Sequence, residues 1–256
     1  MKHFVGSKGA EGIAQWLINE MPLHKVYVEA FLGRGVVFKT KLPAPVNIGI
    51  ERDPKVIASF WRRRPGQPEL TLLDGNAFTV LPLLKVNRDW LIYADPPYLL
   101  ETRSTKRRYY GAELFSVHEH ETLLTILQAL DCNVMISGYS SNLYAAKLAN
   151  WRVVSKWTTN RRGKRVQEFC WCNFAYPDRL HDVRFIGADF TARQCKKRKV
   201  ERWQKKFAGL TSDEQRAISN AIATVKQSKA DCVRSLSGST AETDSAGSQR
   251  QLWDLV

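Results

Sequence analysis

Trp90-Leu91-Ile92-Tyr93-Ala94-Asp95-Pro96-Pro97-Tyr98 is a run of apolar and aromatic residues that ends in an acid, two prolines and a tyrosine. A short apolar run closed by such breakers reads as a buried strand that stops at its carboxyl end. Pro96 and Pro97 have no backbone N–H to donate, so the sheet ladder ends there and leaves the Asp95 carboxylate and the nearby carbonyls facing a cleft. In an open α/β sheet, ligands bind at the carboxyl ends of the strands. On its own, Asp-Pro-Pro-Tyr is as well explained as a strand-ending turn, because Asp and Pro are both common turn residues.

The residues before it supply further strand ends of the same kind. Val26-Tyr27-Val28-Glu29-Ala30-Phe31 reads as a strand, Leu32-Gly33-Arg34-Gly35 as a glycine-bearing turn, and Val36 to Lys39 as the opening of a helix. This is the first β-turn-α of a nucleotide-binding sheet, where glycines let the backbone pass close to a ligand. A dinucleotide fingerprint would carry a third glycine, which is missing, so a plain tight turn stays open. Val46 to Glu51 is a second strand, and its terminal acid lies where it can accept hydrogen bonds from ribose hydroxyls. Asp53 caps the next helix and Pro54 opens it. Leu70 to Leu73 is a third strand, followed by the loop Asp74-Gly75-Asn76, and a helix through Leu81, Leu83 and Leu84 leads back to Trp90. Ahead of all these, Gly6-Ser7-Lys8-Gly9 precedes a helical pattern of Ile13, Trp16, Leu17 and Met21. Small residues there can hold an anionic group, or simply cap a surface helix.

Beyond Tyr98, the stretch to Tyr110 interleaves Arg103, Lys106, Arg107 and Arg108 with Tyr109 and Tyr110, which suits a nucleic-acid backbone and an unstacked base. Ser116 caps a helix carrying Leu123, Leu124, Leu127 and Leu130, and Asn133 to Ser137 is a fifth strand. Trp151 to Thr158 and Val166 to Phe174 form a hairpin around Arg161-Arg162-Gly163-Lys164-Arg165. Seven strands result, predicting an α/β fold with a mostly parallel sheet, a C-terminal antiparallel hairpin and helices on both faces. Past Asp178 the character changes. Ala192 to Phe207 is a helix in which Lys196, Lys197, Arg198, Lys199 and further bases face one acid, Glu201; it is either a solvated surface or a phosphate-gripping arm. Thr211 caps a last helix to about Lys229, and composition from Arg234 onward predicts disorder. The predicted organisation is a domain over 1–176, a basic helical extension over 177–232 and a disordered tail over 233–256.

The chain has 256 residues and a formal charge of +14. So basic a balance points to a polyanionic partner, nucleic acid before membrane. No stretch is apolar enough for a membrane helix and the N-terminus lacks an apolar signal core, so a cytoplasmic protein is expected. Five cysteines, Cys132, Cys170, Cys172, Cys195 and Cys232, have neither zinc spacing nor an even count for disulfides, and no metal site is expected.

Assembled, these residues resemble the Dam-like, alpha-group DNA adenine-N6 methyltransferases, of phage or prophage type, over about residues 4 to 175. The marks are Gly6-Ser7-Lys8, Glu29-Ala30-Phe31-Leu32-Gly33-Arg34-Gly35, Asp95-Pro96-Pro97-Tyr98, Ser137-Gly138-Tyr139 and the Glu168-to-Asn173 strand. The resemblance implies a Rossmann-like methyltransferase fold and S-adenosylmethionine as cofactor, held by residues drawn from Gly6, Ser7, Lys8, Glu29, Phe31, Gly33, Gly35, Glu51, Asp53 and Asp95, with Asp74 or Asn76 near its adenine. Asp95, Pro96, Pro97 and Tyr98 would receive a flipped target adenine. Double-stranded DNA is the implied partner, gripped by Arg103, Lys106, Arg107, Arg108 and Tyr109, the hairpin bases Arg161, Arg162, Lys164 and Arg165, and Lys196 to Lys199. One departure concerns specificity: only Arg52 to Asp89 separate the acidic second strand from Asp95, which leaves no room for a separate target-reading domain and predicts short or degenerate recognition. The same scaffold can also methylate cytosine N4, RNA or a protein amide, or persist as a nucleic-acid-binding protein without catalysis.

Overall fold

The computed structural model describes residues 8, 12–62, 70–99, 116–159, 163–187 and 189–238. They form two compact units, Met1–Lys196 and Lys197–Val256.

The first unit is built on one seven-stranded sheet: β1 Val26–Glu29, β2 Val46–Glu51, β3 Leu70–Asp74, β4 Trp90–Ala94, β5 Asn133–Gly138, β6 Arg152–Thr159 and β7 Arg165–Cys172. Their order across the sheet is β3-β2-β1-β4-β5-β7-β6. β3, β2, β1, β4 and β5 pair in parallel, and β7 inserts antiparallel between β5 and β6. This is the mostly parallel α/β sheet with a C-terminal antiparallel hairpin expected from sequence, the hairpin being folded back so that its second strand meets β5. The strand order reverses between β1 and β4, the point where such sheets open a crevice at their carboxyl edge.

Strand periodicity assigns each residue to a face. Tyr27, Leu91, Tyr93, Met135, Cys170 and Cys172 point to the side covered by α1 Ile13–Ile18, α2 Val36–Thr40 and α3 Pro54–Arg62. Val28, Ile92, Ala94, Val134, Ile136 and Trp171 point to the other, covered by α4 Ala77–Val80, α5 Val117–Ala129 and α6 Asn142–Lys147. The central strands are buried on both sides, which is why β4 reads as a continuous apolar run rather than an alternating one.

The helices start where their caps dictate. Asp53 accepts from the Lys55 N–H, and Ser116 with Glu119 forms a complete capping box on α5. The helix expected through Leu81 to Leu84 is shorter than its apolar spacing suggests: α4 ends at Val80 and passes into a 3₁₀ turn, Leu81–Leu83, around Pro82.

Residues after 176 continue to pack on the first unit. Leu180 bridges Pro22, the His181 N–H donates to the Met21 carbonyl at 3.1 Å, and the fully buried Asp182 accepts from the Leu42 N–H at 2.9 Å and from Arg184.

α7 Phe190–Ala208 contains the boundary between the units, and α8 Ser212–Gly238 lies in the second. Thr211 and Glu214 cap α8 reciprocally. α8 runs on to Gly238, past the Arg234 at which serine-rich composition predicted loss of structure. Residues 239–256 lie outside the described residues. No helix among the described residues is long and apolar enough to cross a membrane.

Candidate active site

Parallel pairing in register brings the ends of β1, β4 and β5 to one edge: Glu29 lies opposite Tyr93, and Ala94 opposite Ile136. Period-two alternation then sets Tyr93 and Asp95 on β4, Ser137 on β5 and Glu168 on β7 toward the α1 face, the side to which Lys8, just ahead of α1, belongs. These residues form one polar cluster. Asp95 Oδ1 accepts from Ser137 Oγ at 3.1 Å and lies 2.9 Å from Lys8 Nζ. Ser137 Oγ is also 2.8 Å from the Tyr93 hydroxyl. Lys8 Nζ donates in addition to Glu168 Oε1 and to the Tyr98 hydroxyl, and that hydroxyl donates to the same Glu168 oxygen. The Tyr98 ring meets Tyr139 edge-on, with centroids 4.6 Å apart.

Burial dominates the electrostatics. It disfavours the Lys8 ammonium, but Asp95 and Glu168 more than offset this and hold the lysine above its usual range. Asp95 is pushed up by burial and by Glu168, against the opposing pull of Lys8 and Ser137. Burial and both carboxylates raise the Tyr98 phenol well above its usual value. Lys8 and Tyr98 therefore keep their protons at neutral pH, and Asp95, pushed up by burial, is the group better able to take one up.

Beside this cluster, Gly33 and Gly35 adopt left-handed backbone at φ 49° and 56°. At Gly35 the reason is packing, since a Cβ would meet the Phe60 ring at 2.6 Å. At Gly33 a Cβ would meet nothing within 4 Å, so this turn opens onto free space. Glu51 ties the turn to β2: its Oε2 accepts from the Gly33 N–H at 2.8 Å, and its Oε1 from the N–H groups of Arg52 and Asp53. A concave turn with an acid at its rim fits the adenosyl part of S-adenosylmethionine.

The other sequence-predicted residues separate by placement. Glu29 is buried and accepts from the Tyr27 hydroxyl at 2.9 Å; burial pushes its carboxyl up to about 8, which keeps it neutral at pH 7. Asn76 spends its side-chain oxygen capping α4 through the Phe78 N–H, while Asp74 ends β3 exposed. Phe31 packs against the core on the α5 side. Pro96 is buried and Pro97 half-buried. Lys164 and Arg165 are exposed at the hairpin, with the Arg165 guanidinium 5.2 Å from the exposed Trp157 ring. Lys196, Lys197, Arg198 and Lys199 are exposed on α7, where Lys197 pairs with Glu201 at 3.8 Å. Gly6, Ser7, Arg103, Lys106, Arg107, Arg108, Tyr109, Arg161 and Arg162 lie outside the described residues. Glu168, Ser137, Tyr93 and Tyr139 are site residues that sequence reasoning did not assign. An acid between Val166 and the apolar run Phe169 to Trp171 was the available signal for Glu168, because a charge in such a strand must have a buried partner.

Residues 78–161 match the family of D12 class N6 adenine-specific DNA methyltransferases. The match spans Asp95 to Tyr98 and Ser137, and ends short of Glu168. That stretch is less than half of the chain. No curated protein matches the chain. Among solved structures, a conserved hypothetical protein of Streptococcus pyogenes is 17% identical, with a TM-score of 0.44 over 65% of this chain and 96% of its own. The 23S rRNA methyltransferase ErmE is 12% identical, with a TM-score of 0.43 over 72% and 81%. A dimethyladenosine transferase from Plasmodium falciparum is 14% identical, with a TM-score of 0.41 over 62% and 60%. At these scores none of the three bears on substrate or site.

Proposed function

We propose that this chain transfers a methyl group from S-adenosylmethionine to the exocyclic N6 of adenine in double-stranded DNA, with little sequence readout. The observation that carries the reading is the state of Asp95. Both of its hydrogen-bonding contacts among the described residues, Lys8 and Ser137, fall on Oδ1, so Oδ2 is the oxygen left for a base amino group.

The cofactor, when bound, supplies an electrophilic methyl group on a sulfonium. The protein's task is to make a poor nucleophile attack it. The N6 lone pair of adenine is delocalised into the ring, and acceptance of its two protons by Asp95 Oδ2 and the Pro96 carbonyl favours a pyramidal nitrogen whose lone pair is free. Tyr98, its ring fixed by Tyr139 and its hydroxyl by Glu168, offers a face on which an extruded base can stack. Gly33 and Glu51 form the cofactor side of the cleft. The basic residues of the hairpin and the exposed bases of α7 would hold the phosphate backbone without reading bases.

Incubation with labelled cofactor and double-stranded DNA, single-stranded DNA or RNA, followed by nucleoside analysis, tests this. N6-methyladenine in duplex DNA is expected. Label in RNA or in cytosine would replace the substrate assignment, and absence of cofactor binding by calorimetry would favour a nucleic-acid-binding protein without catalysis. Sequencing of methylated sites on a plasmid tests the readout, which a single motif of about four or more fixed bases would contradict.

A further inference from the structure

Glu168 binds both Lys8 and the Tyr98 hydroxyl, yet methyl transfer as described uses only the second of these contacts. It lies on β7 in a strand that is otherwise apolar toward this face, with Cys170 and Cys172 as its neighbours in the core. A buried carboxylate is costly unless paired and hydrogen-bonded. Its cross-strand partner on β6 is Lys156, and the groups that reach its Oε1 are Lys8 and Tyr98. Lys8 is thereby shared between two carboxylates, Asp95 and Glu168. The titratable side chains around Glu168 and Asp95 include Lys8, Tyr98, Tyr139, Tyr93 and Glu29 and, opposite on β6, Lys156.

We propose that Glu168 is a positioning residue for the reaction: it holds the Lys8 ammonium and the Tyr98 hydroxyl so that Asp95 can accept the proton released by the methylated base. The inference rests on the reading given under Proposed function. Methylation leaves N6 with a positive charge and two protons. One N6–H bond then breaks, its electron pair stays on nitrogen, and the proton forms an O–H bond at Asp95 Oδ2. The nitrogen becomes neutral and so does Asp95, whose charge no longer balances Lys8. Glu168 provides that balance without any movement of the lysine. Lys8 itself cannot take the proton, because the two carboxylates hold it charged. With Glu168 neutralised, Lys8 would bind Asp95 alone and make it a weaker base.

The test compares wild type with Glu168→Gln and Glu168→Asp in single-turnover methyl transfer to duplex DNA across pH, alongside calorimetric cofactor binding and thermal melting. Glu168→Gln is expected to slow transfer about tenfold or more. Its acid limb should move to lower pH, because the rate requires ionised Asp95 and that group becomes more acidic. Cofactor affinity should hold, and Glu168→Asp should recover part of the rate. A Glu168→Gln protein with wild-type rate and an unmoved acid limb overturns the proposal. So does a slowed protein whose limb has not moved, whose melting point has fallen and which Asp does not rescue, since that describes a merely structural residue. Wild type that binds cofactor but methylates no nucleic acid overturns the reading itself and this inference with it.

Discussion

Lys8 Nζ lies 2.9 Å from Asp95 Oδ1, joining a residue ahead of the first helix to the end of the fourth strand. Among the described residues the contacts of Asp95 with Lys8 and Ser137 both fall on Oδ1, the oxygen away from which the proposed base contact is drawn. The Lys8 contact also places a single cation between two buried carboxylates, and that arrangement has a direct energetic consequence.

Replacing Lys8 by Met keeps the length of the side chain and removes its charge. Asp95 and Glu168 are then left buried without their shared cation, and loss of one partner from a buried ion pair costs about 3 kcal/mol or more. Urea unfolding of Lys8→Met against wild type measures this. A loss below about 1 kcal/mol would mean that the pairing is no stronger than a surface salt bridge.

The opposite edge of the sheet carries a pH-dependent element. His24 stacks on His181 with centroids 3.8 Å apart, and its Nδ1 lies 2.8 Å from the Pro22 carbonyl. Its Nε2 is buried with no hydrogen-bond partner. Burial, His181 and Lys41 push the ring down to about 3 from its ordinary 6.5. Below pH 6.5 the unfolded chain therefore binds a proton that the folded one refuses, and His24 lowers stability by about 1.4 kcal/mol per pH unit as pH falls toward 3. Glu29, pushed up to about 8 by burial, works in the other direction, because between 4.5 and 8 the folded state keeps a proton that the unfolded state releases. The whole-protein curve thus mixes two opposed slopes, and the difference between wild type and His24→Gln isolates one of them. Unfolding free energies measured across this range should give a difference that is flat above pH 7 and grows on acidification; a difference independent of pH would contradict the assignment.

On α7, Lys197, Arg198 and Lys199 are exposed. If they hold phosphates, changing all three to Gln weakens DNA binding uniformly across sequences and reduces the slope of log K against log salt by about 2 to 3. Fluorescence anisotropy titrations at several salt concentrations check this. An unchanged slope would make the helix a solvated surface.

The fold was legible because its signals are local. Tyr93 and Ala94 before Asp95-Pro96-Pro97, the glycine turn at Gly33 and the acid Glu51 each mark a strand end, and caps such as Asp53 and Ser116 mark helix starts. The approach of Glu51 to the glycine turn was legible for the same reason, since Gly33 and Glu51 come together through the pairing of neighbouring strands. The remainder depends on long-range register. Glu168 meets Lys8 across 160 positions of sequence, and only the insertion of β7 between β5 and β6 puts it there. The capping contact of Asn76 is local, because a short polar residue before a helix is drawn to capping the helix N–H groups.

The central claim is that Asp95 presents an acceptor to an adenine amino group while Gly33 and Glu51 hold the cofactor. Nucleoside analysis of duplex DNA incubated with labelled S-adenosylmethionine and either wild type or Asp95→Ala, paired with calorimetric cofactor binding by both, tests it most directly. Labelled N6-methyladenine is expected from wild type, with a loss of at least about a hundredfold in Asp95→Ala and cofactor affinity preserved. An Asp95→Ala protein that methylates adenine at near the wild-type rate would contradict it.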